Sequence, residues 1–140
     1  MSISILVVED VKEIYEYYLR VFEQILPVED IEFTHASSIK EACEVLEQPF
    51  DIILMDYALG APFLAPGATK SITDGAGLVK VRRFLEGKNI VKPAQIFGIS
   101  SAKIGNDLLI KAGAHYAYLK VKVEELANSL KTVCQNLKGK

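Results

Sequence analysis

The sequence predicts an α/β protein: five strands in one parallel sheet, doubly wound, with helices on both faces. Three observations predict it. Short apolar runs alternate with stretches whose apolar residues fall three and four apart, in strand–helix order from end to end. That alternation calls for a parallel sheet, because right-handed crossovers lay each helix over the strands it joins. The 140 residues, 50% of them hydrophobic, are enough to bury one such core. No linker or internal repeat divides them, so residues 1–140 are expected to form a single domain.

Each element has its own signal. Ile3 to Val8 is an apolar run stopped by Glu9 and Asp10, as suits a buried strand. From Val11 the rhythm turns helical through Ile14, Tyr15, Tyr18, Val21, Phe22 and Ile25, and Pro27 marks the stop. Ile31 to Ala36 reads as a second strand, diluted by Glu32, Thr34 and His35. Ser38-Ile39-Lys40-Glu41 has the form of a capping box and opens a helix through Glu47, closed by Pro49. Asp51 to Asp56 is the third strand, apolar between two acids. A helix from about Gly75 to Leu85 carries Leu78, Val81 and Leu85 on one face. Gln95 to Ser100 is the fourth strand, and Ile104 to Ala112 a helix ended by Gly113. Tyr116 to Leu119 is a short fifth strand, and Val123, Leu126, Leu130, Val133 and Leu137 set the last helix.

One segment departs from the pattern. Residues Tyr57 to Thr73 hold two prolines, two glycines, one lysine and no acid, where a βα loop usually has about 2–6 residues. It reads either as a tolerated surface insertion or as a lid or docking element that starts beside Asp56.

In a doubly wound sheet the carboxyl ends of the strands share one edge, and ligands bind there. That edge gathers Glu9 and Asp10 from strand one, Asp56 from strand three, Ser100 and Ser101 from strand four, and Lys120 from strand five. Three carboxylates so close repel one another unless a cation sits among them or one keeps a proton. An all-oxygen donor set without His or Cys selects a hard ion, and Mg²⁺ is the natural choice. With a serine and a lysine opposite, this is equipment for phosphoryl transfer, which needs positioning and charge neutralisation. The nucleophile would be a carboxylate.

On these residues the chain resembles the receiver domain of a bacterial two-component response regulator, of the stand-alone single-domain type. The matching pieces are ILVVED at 5–10, DIILMD at 51–56, the Asp74-Gly75 pair, GISSA at 98–102 and GAHYAYLK at 113–120. The resemblance implies a flavodoxin-like (βα)5 fold with strand order 2-1-3-4-5. It implies Asp56 as phosphoacceptor, with Mg²⁺ held by Asp10, Asp56, the backbone carbonyl of Ala58 and, partly through water, Glu9. Ser100 would hydrogen-bond the phosphoryl group and Lys120 would pair with it. The partners would be a sensor histidine kinase or histidine phosphotransfer protein and a downstream protein target. The target would be met through the fourth helix, fifth strand and fifth helix, about Ile104 to Leu137. Such a protein is a switch that promotes its own aspartyl phosphorylation and dephosphorylation rather than an enzyme.

The sequence departs from the family's pattern in four places. Val121 follows Lys120 where a proline in a cis peptide is usual, so a trans bond is expected. Ala117 stands where an aromatic is frequent, with Tyr116 and Tyr118 directed to the opposite face of the strand. Ala58 and Ala102, two residues beyond Asp56 and Ser100, carry no polar group to position a hydrolytic water. Asp10 with Glu13 also has the form of a capping box, and capping alone could account for it. A phosphate-independent interaction scaffold on the same fold is the alternative these departures favour.

Composition and missing motifs exclude other classes. Sixteen basic against 18 acidic residues give a net charge of −2, unlike the basic footprint of a nucleic-acid binder. The N-terminal apolar run is too short for a signal peptide or membrane span. Cys43 and Cys134 fit no metal spacing and read as reduced thiols of a cytoplasmic protein. His35 and His115 read as isolated rather than metal-bound. A GxGxxG dinucleotide loop and a flavodoxin-type phosphate loop are missing after strand one. So is the second acid that a haloacid-dehalogenase-type phosphatase would need at 58. At this size no output domain is expected, so the signal would leave by protein–protein contact.

Overall fold

A computed structural model of the chain describes residues 2–139; Met1 and Lys140, the ends of the expected domain, lie outside them. The elements run β1 (Ile3–Val8), α1 (Lys12–Ile25), β2 (Ile31–Ala36), α2 (Ile39–Val45), β3 (Ile52–Met55), α3 (Gly75–Gly87), β4 (Gln95–Ser100), α4 (Lys103–Ala112), β5 (Tyr116–Leu119) and α5 (Val123–Lys138), with 3-10 turns at Val28–Asp30 and Lys120–Lys122. The sheet order is β2-β1-β3-β4-β5, every pairing parallel. The parallel sheet is the one the alternating pattern predicts, and its order is the one the resemblance implies.

Period-two alternation splits the strands between two cores. Ile3, Ile5, Val7, Ile52, Leu54, Phe97 and Ile99 face α1 and α5, where Phe22, Leu126 and Leu130 are fully buried against them. Leu6, Val8, Ile53, Met55 and Ile96 face α2, α3 and α4, meeting Ile39, Leu78 and Leu109. Each fully buried Leu or Ile side chain contributes about 1.5–3 kcal/mol.

Several expected ends moved. β3 lacks its two acids: the Asp51 side chain accepts from Ser4 N (2.9 Å) and pairs with Lys92 (2.6 Å). α2 stops at Val45, short of Glu47. Ser38 caps it as expected, its Oγ accepting from Glu41 N at 3.0 Å, but the Glu41 carboxylate reaches back to Ser37 N (2.7 Å), one residue earlier than in a capping box. The Asp10–Glu13 box does not form. Val11 is the N-cap of α1, without a side-chain cap, and Asp10 is exposed.

The Tyr57–Thr73 insertion is folded. Phe63 and Ile72 exchange backbone hydrogen bonds (3.0 and 2.8 Å) as an antiparallel pair. Ala68 N bonds Ala65 O (3.0 Å) across Pro66-Gly67, and Gly67 has φ +82°. That is the signature of a type II turn, with Pro at its second position and Gly at the left-handed third. Phe63 and Ile72 pack on the α2–α3 core. The insertion is thus a small hairpin laid along the helices.

α3 contains a feature with no expectation behind it. Arg82 is fully buried, and its guanidinium bonds the carbonyls of Leu46 (2.6 Å), Gln48 (2.7 Å) and Lys92 (2.9 Å) and the Glu86 carboxylate (3.0 Å). It ties the end of α2 and the α3–β4 loop to α3, and satisfies the carbonyl of Leu46, the C-cap of α2.

Candidate functional site

Strand register builds the site. Val8 pairs with Met55, and Ser100 with Leu119. Glu9, Asp56 and Lys120 are each the first residue past a paired position, so their side chains emerge together at the carboxyl edge. The Asp56 amide donates to Val8 O at 3.1 Å and the Glu9 amide to Ala36 O at 3.1 Å, which carries the ladder one step into the site.

Glu9 is 0% exposed and Asp56 2%, while Asp10 is open to solvent. Each of the three offers a carboxylate oxygen within 4.8 Å of the others. Lys120 Nζ lies 3.0 Å from Glu9 Oε1 and 3.1 Å from Asp56 Oδ2, bridging the two buried acids. The remaining oxygens are also held. Tyr57 N donates to Asp56 Oδ1 (2.8 Å), Val11 N to Glu9 Oε2 (3.0 Å), and Tyr18 OH to Glu9 Oε1 (3.3 Å). His35 Nε2, its ring stacked on Tyr15 at 3.8 Å, bonds the Glu9 carbonyl at 2.7 Å.

The electrostatics follow from burial. Desolvation, then the Glu9 charge, pushes the Asp56 carboxyl up to about 7, against the pull of Lys120 and the Tyr57 amide. Burial opposes the Lys120 charge, but Asp56 and Glu9 outweigh it and hold the amine above its ordinary value. The pocket therefore carries more acid than one ammonium can neutralise, and a hard cation among Glu9, Asp10 and Asp56 would relieve it. The donor chemistry fits Mg²⁺: oxygen only, with one carboxylate open to water.

α3 and α4 approach this edge at unusual closeness. Gly75 N donates to Tyr57 O (2.8 Å), and a Cβ on Gly75 would stand 1.8 Å from the Asp56 carbonyl oxygen. Asp74 caps α3 through its bond from Gly77 N (2.9 Å). So the Asp74-Gly75 pair seats α3 directly on the backbone of Asp56. Ser100 is 4% exposed at the end of β4, its Oγ accepting from Ala102 N (3.2 Å). A Cβ on Gly105 would lie 2.5 Å from that Oγ and 3.1 Å from Tyr57, which puts Ser100 beside the residue after Asp56. Ser101 is exposed. Ala58 and Ala102 are both exposed, and the Lys120–Val121 bond is trans.

On the other side of β5, Ala117 lines an open groove of about 450 Å³ with Asn106 and Ile110. The Tyr118 ring turns to the α1–α5 core, while Tyr116 packs on Phe97 at 5.4 Å and also lines the groove. Two site residues carried no expectation of a role at the site. Tyr18 read only as part of α1's apolar stripe, and His35 as a residue diluting β2. The available signal was a polar-tipped aromatic on a stripe that faces the acidic end of β1.

No protein-family model matches the chain, and no curated protein matches it. Solved structures do. A CheY-like response regulator receiver domain protein from Methanospirillum hungatei aligns over 99% of this chain and 98% of its own, at 18% identity and TM-score 0.70. The signal receiver domain of a DNA-binding response regulator from Colwellia psychrerythraea aligns over 96% and 99%, at 16% identity and TM-score 0.73. A response regulator from Burkholderia pseudomallei, solved with a phosphorylated aspartic acid and a calcium ion, aligns over 99% of this chain and 72% of its own, at 18% identity and TM-score 0.65. Among the described residues no helix is long and apolar enough to cross a membrane. The chain has the fold of a response regulator receiver domain, with an acidic cluster at the edge where that fold binds its ligands.

Proposed function

We propose that residues 1–140 act as one receiver domain that takes a phosphoryl group from a histidine kinase or histidine phosphotransfer protein onto Asp56. The observation that carries this is Asp56 itself: a 98% buried carboxylate, held between Lys120 and the Tyr57 amide, with Glu9 and Asp10 beside it. A structural role alone does not call for two buried acids on one lysine with a third acid beside them. The phosphorylated aspartate of the Burkholderia pseudomallei neighbour supports the same reading.

In the proposed step an Asp56 carboxylate oxygen attacks the phosphorus of a phosphoimidazole. The new bond is an acyl phosphate O–P bond; the P–N bond breaks, and its electron pair leaves on the imidazole nitrogen, which takes up a proton. Lys120 neutralises charge on the transferred oxygens, and Ser100 donates to one of them. Asp10, Asp56, the Ala58 carbonyl and, through water, Glu9 would hold Mg²⁺. Its contribution is to offset the repulsion between acids and phosphate. The added phosphate charge, about −1.5 to −2 by analogy with hydroxyl phosphorylation, biases a two-state equilibrium. The switch is then read by a protein partner at α4, β5 and α5, where Ile104, Ile110, Tyr116 and Val121 are exposed. Cys43 and Cys134 are free thiols, in keeping with the cytoplasm.

Incubation with acetyl phosphate and Mg²⁺, followed by intact mass, tests the reading. A gain of one phosphate is expected in the wild type and not in Asp56→Asn. No gain, or a gain surviving that substitution, would favour a phosphate-independent scaffold. With Ala58 and Ala102 unable to orient water, the acyl phosphate is expected to hydrolyse slowly; loss within seconds would refute that part.

A further inference from the structure

The Glu9 carboxylate has no access to water, and its Oε1 is shared by two donors of different kinds, the Lys120 ammonium at 3.0 Å and the Tyr18 phenol at 3.3 Å. We propose that Tyr18 is a positioning residue of the Asp56 site, the standby donor that keeps Glu9 satisfied when Lys120 leaves it for a phosphoryl group on Asp56. This rests on the phosphoacceptor reading and adds a requirement to it.

In the unmodified site Lys120 lies almost equally far from Glu9 and Asp56. Phosphoryl oxygens on Asp56 would unbalance that sharing and draw the ammonium to themselves. Glu9 would then keep Val11 N on Oε2 and lose its cation on Oε1. A buried carboxylate oxygen left without a donor costs far more than an exposed one, and that cost would count against every phosphorylated molecule. Tyr18 removes it in advance. It is 1% exposed and its ring packs against Phe22 at 6.3 Å, so its hydroxyl is held in place by the α1 core. A phenol keeps its proton at neutral pH, so it stays a donor. A neutral donor suits the task better than a second cation, because it leaves the acidic pull on a metal ion undiminished. Packing alone asks only for an apolar ring at this point of α1; phenylalanine would do.

The test is beryllofluoride, a mimic of the phosphoryl group, titrated with Mg²⁺ into the wild type, Tyr18→Phe, Glu9→Gln and the double variant. One hydrogen bond to a buried charge corresponds to a loss of about 10-fold or more in beryllofluoride affinity. Tyr18→Phe is expected to show that loss while its affinity for Mg²⁺ alone stays within about 2-fold, since Mg²⁺ alone does not draw Lys120 away. In the Glu9→Gln background, where no charge is stranded, Tyr18→Phe is expected to add less than about 2-fold. Wild-type affinity in Tyr18→Phe would overturn the proposal, as would equal losses for Mg²⁺ alone and with beryllofluoride, or equal losses in both backgrounds, the pattern of a purely structural residue. A wild type that binds no beryllofluoride would instead remove the phosphoacceptor reading, and this role with it.

Discussion

Replacing Gly75 by alanine pushes a methyl group into the backbone of Asp56. The added Cβ would stand 1.8 Å from the Asp56 carbonyl oxygen and 2.9 Å from its carbon, and side chains essentially never approach closer than 3.0 Å. The gap must therefore open by at least 3.0 − 1.8 = 1.2 Å. The atoms in the way are backbone, so no flexible side chain can yield. Either the start of α3 lifts or the β3–α3 turn carrying Asp56 shifts. Forced overpacking of this kind costs about 1–3 kcal/mol. A misplacement of about 1 Å at a reacting group costs about 100-fold in rate. Gly75→Ala is thus expected to slow phosphorylation from acetyl phosphate, followed by intact mass, about 100-fold, with a urea midpoint lowered by only a modest step. Gly67→Ala is the control. It strains a left-handed turn, at about 1–2 kcal/mol, but meets nothing within 4 Å and lies at the hairpin tip, so the phosphorylation rate should hold. Equal rates in Gly75→Ala and Gly67→Ala would refute the claim that α3 sets the position of Asp56.

Lys120→Met should leave Glu9 and Asp56 buried without their shared cation, a loss of about 3–5 kcal/mol in urea unfolding, and should reduce phosphorylation; unchanged stability would contradict the bridging geometry. Arg82→Met should lower the urea midpoint by a similar amount at unchanged slope, because three carbonyls lose this donor together and Glu86 keeps only Arg83 and the Ala94 amide. Glu86 is held below its ordinary range: burial acts to raise it, but bonds from Arg83, Ala94 N and Arg82 prevail. Its contribution is therefore present above about pH 4.5, the unfolded value, and is lost as pH falls through the lower folded value. Urea curves of wild type and Glu86→Gln should differ at pH 7 and converge in acid, and a constant gap would refute this.

Most of the fold was legible because it depends on patterns that act along the chain. The β2, β4 and β5 limits were read off apolar runs and their breakers, and Gly113 marked the end of α4 as a left-handed cap should. Ends set by tertiary contacts were not legible. Asp51 leaves β3 because its side chain serves Ser4 and Lys92. Asp10 does not cap α1: the helix starts one residue later, with Val11 at the N-cap and its amide held by Glu9. The insertion was visible as a length anomaly, and Pro66-Gly67 was a turn signal within it, but the Phe63–Ile72 pairing depends on the α2–α3 surface beneath. At the site, Glu9, Asp10, Asp56 and Lys120 could be gathered from strand ends alone, since a parallel sheet brings those ends together. Tyr18 and Arg82 could not. Each sits at a helical stripe position where an apolar residue would also fit, and only the packed structure gives the polar tip a partner.

The central claim is that Asp56 itself accepts the phosphoryl group, and chemical trapping tests it most directly. An acyl phosphate is reduced by borohydride to an alcohol, which converts a phosphorylated aspartate into homoserine. After treatment with acetyl phosphate, Mg²⁺ and then borohydride, peptide mapping should find homoserine at position 56 and at no other aspartate. Homoserine at Asp10 or elsewhere, or none in protein that has gained a phosphate, would contradict the account.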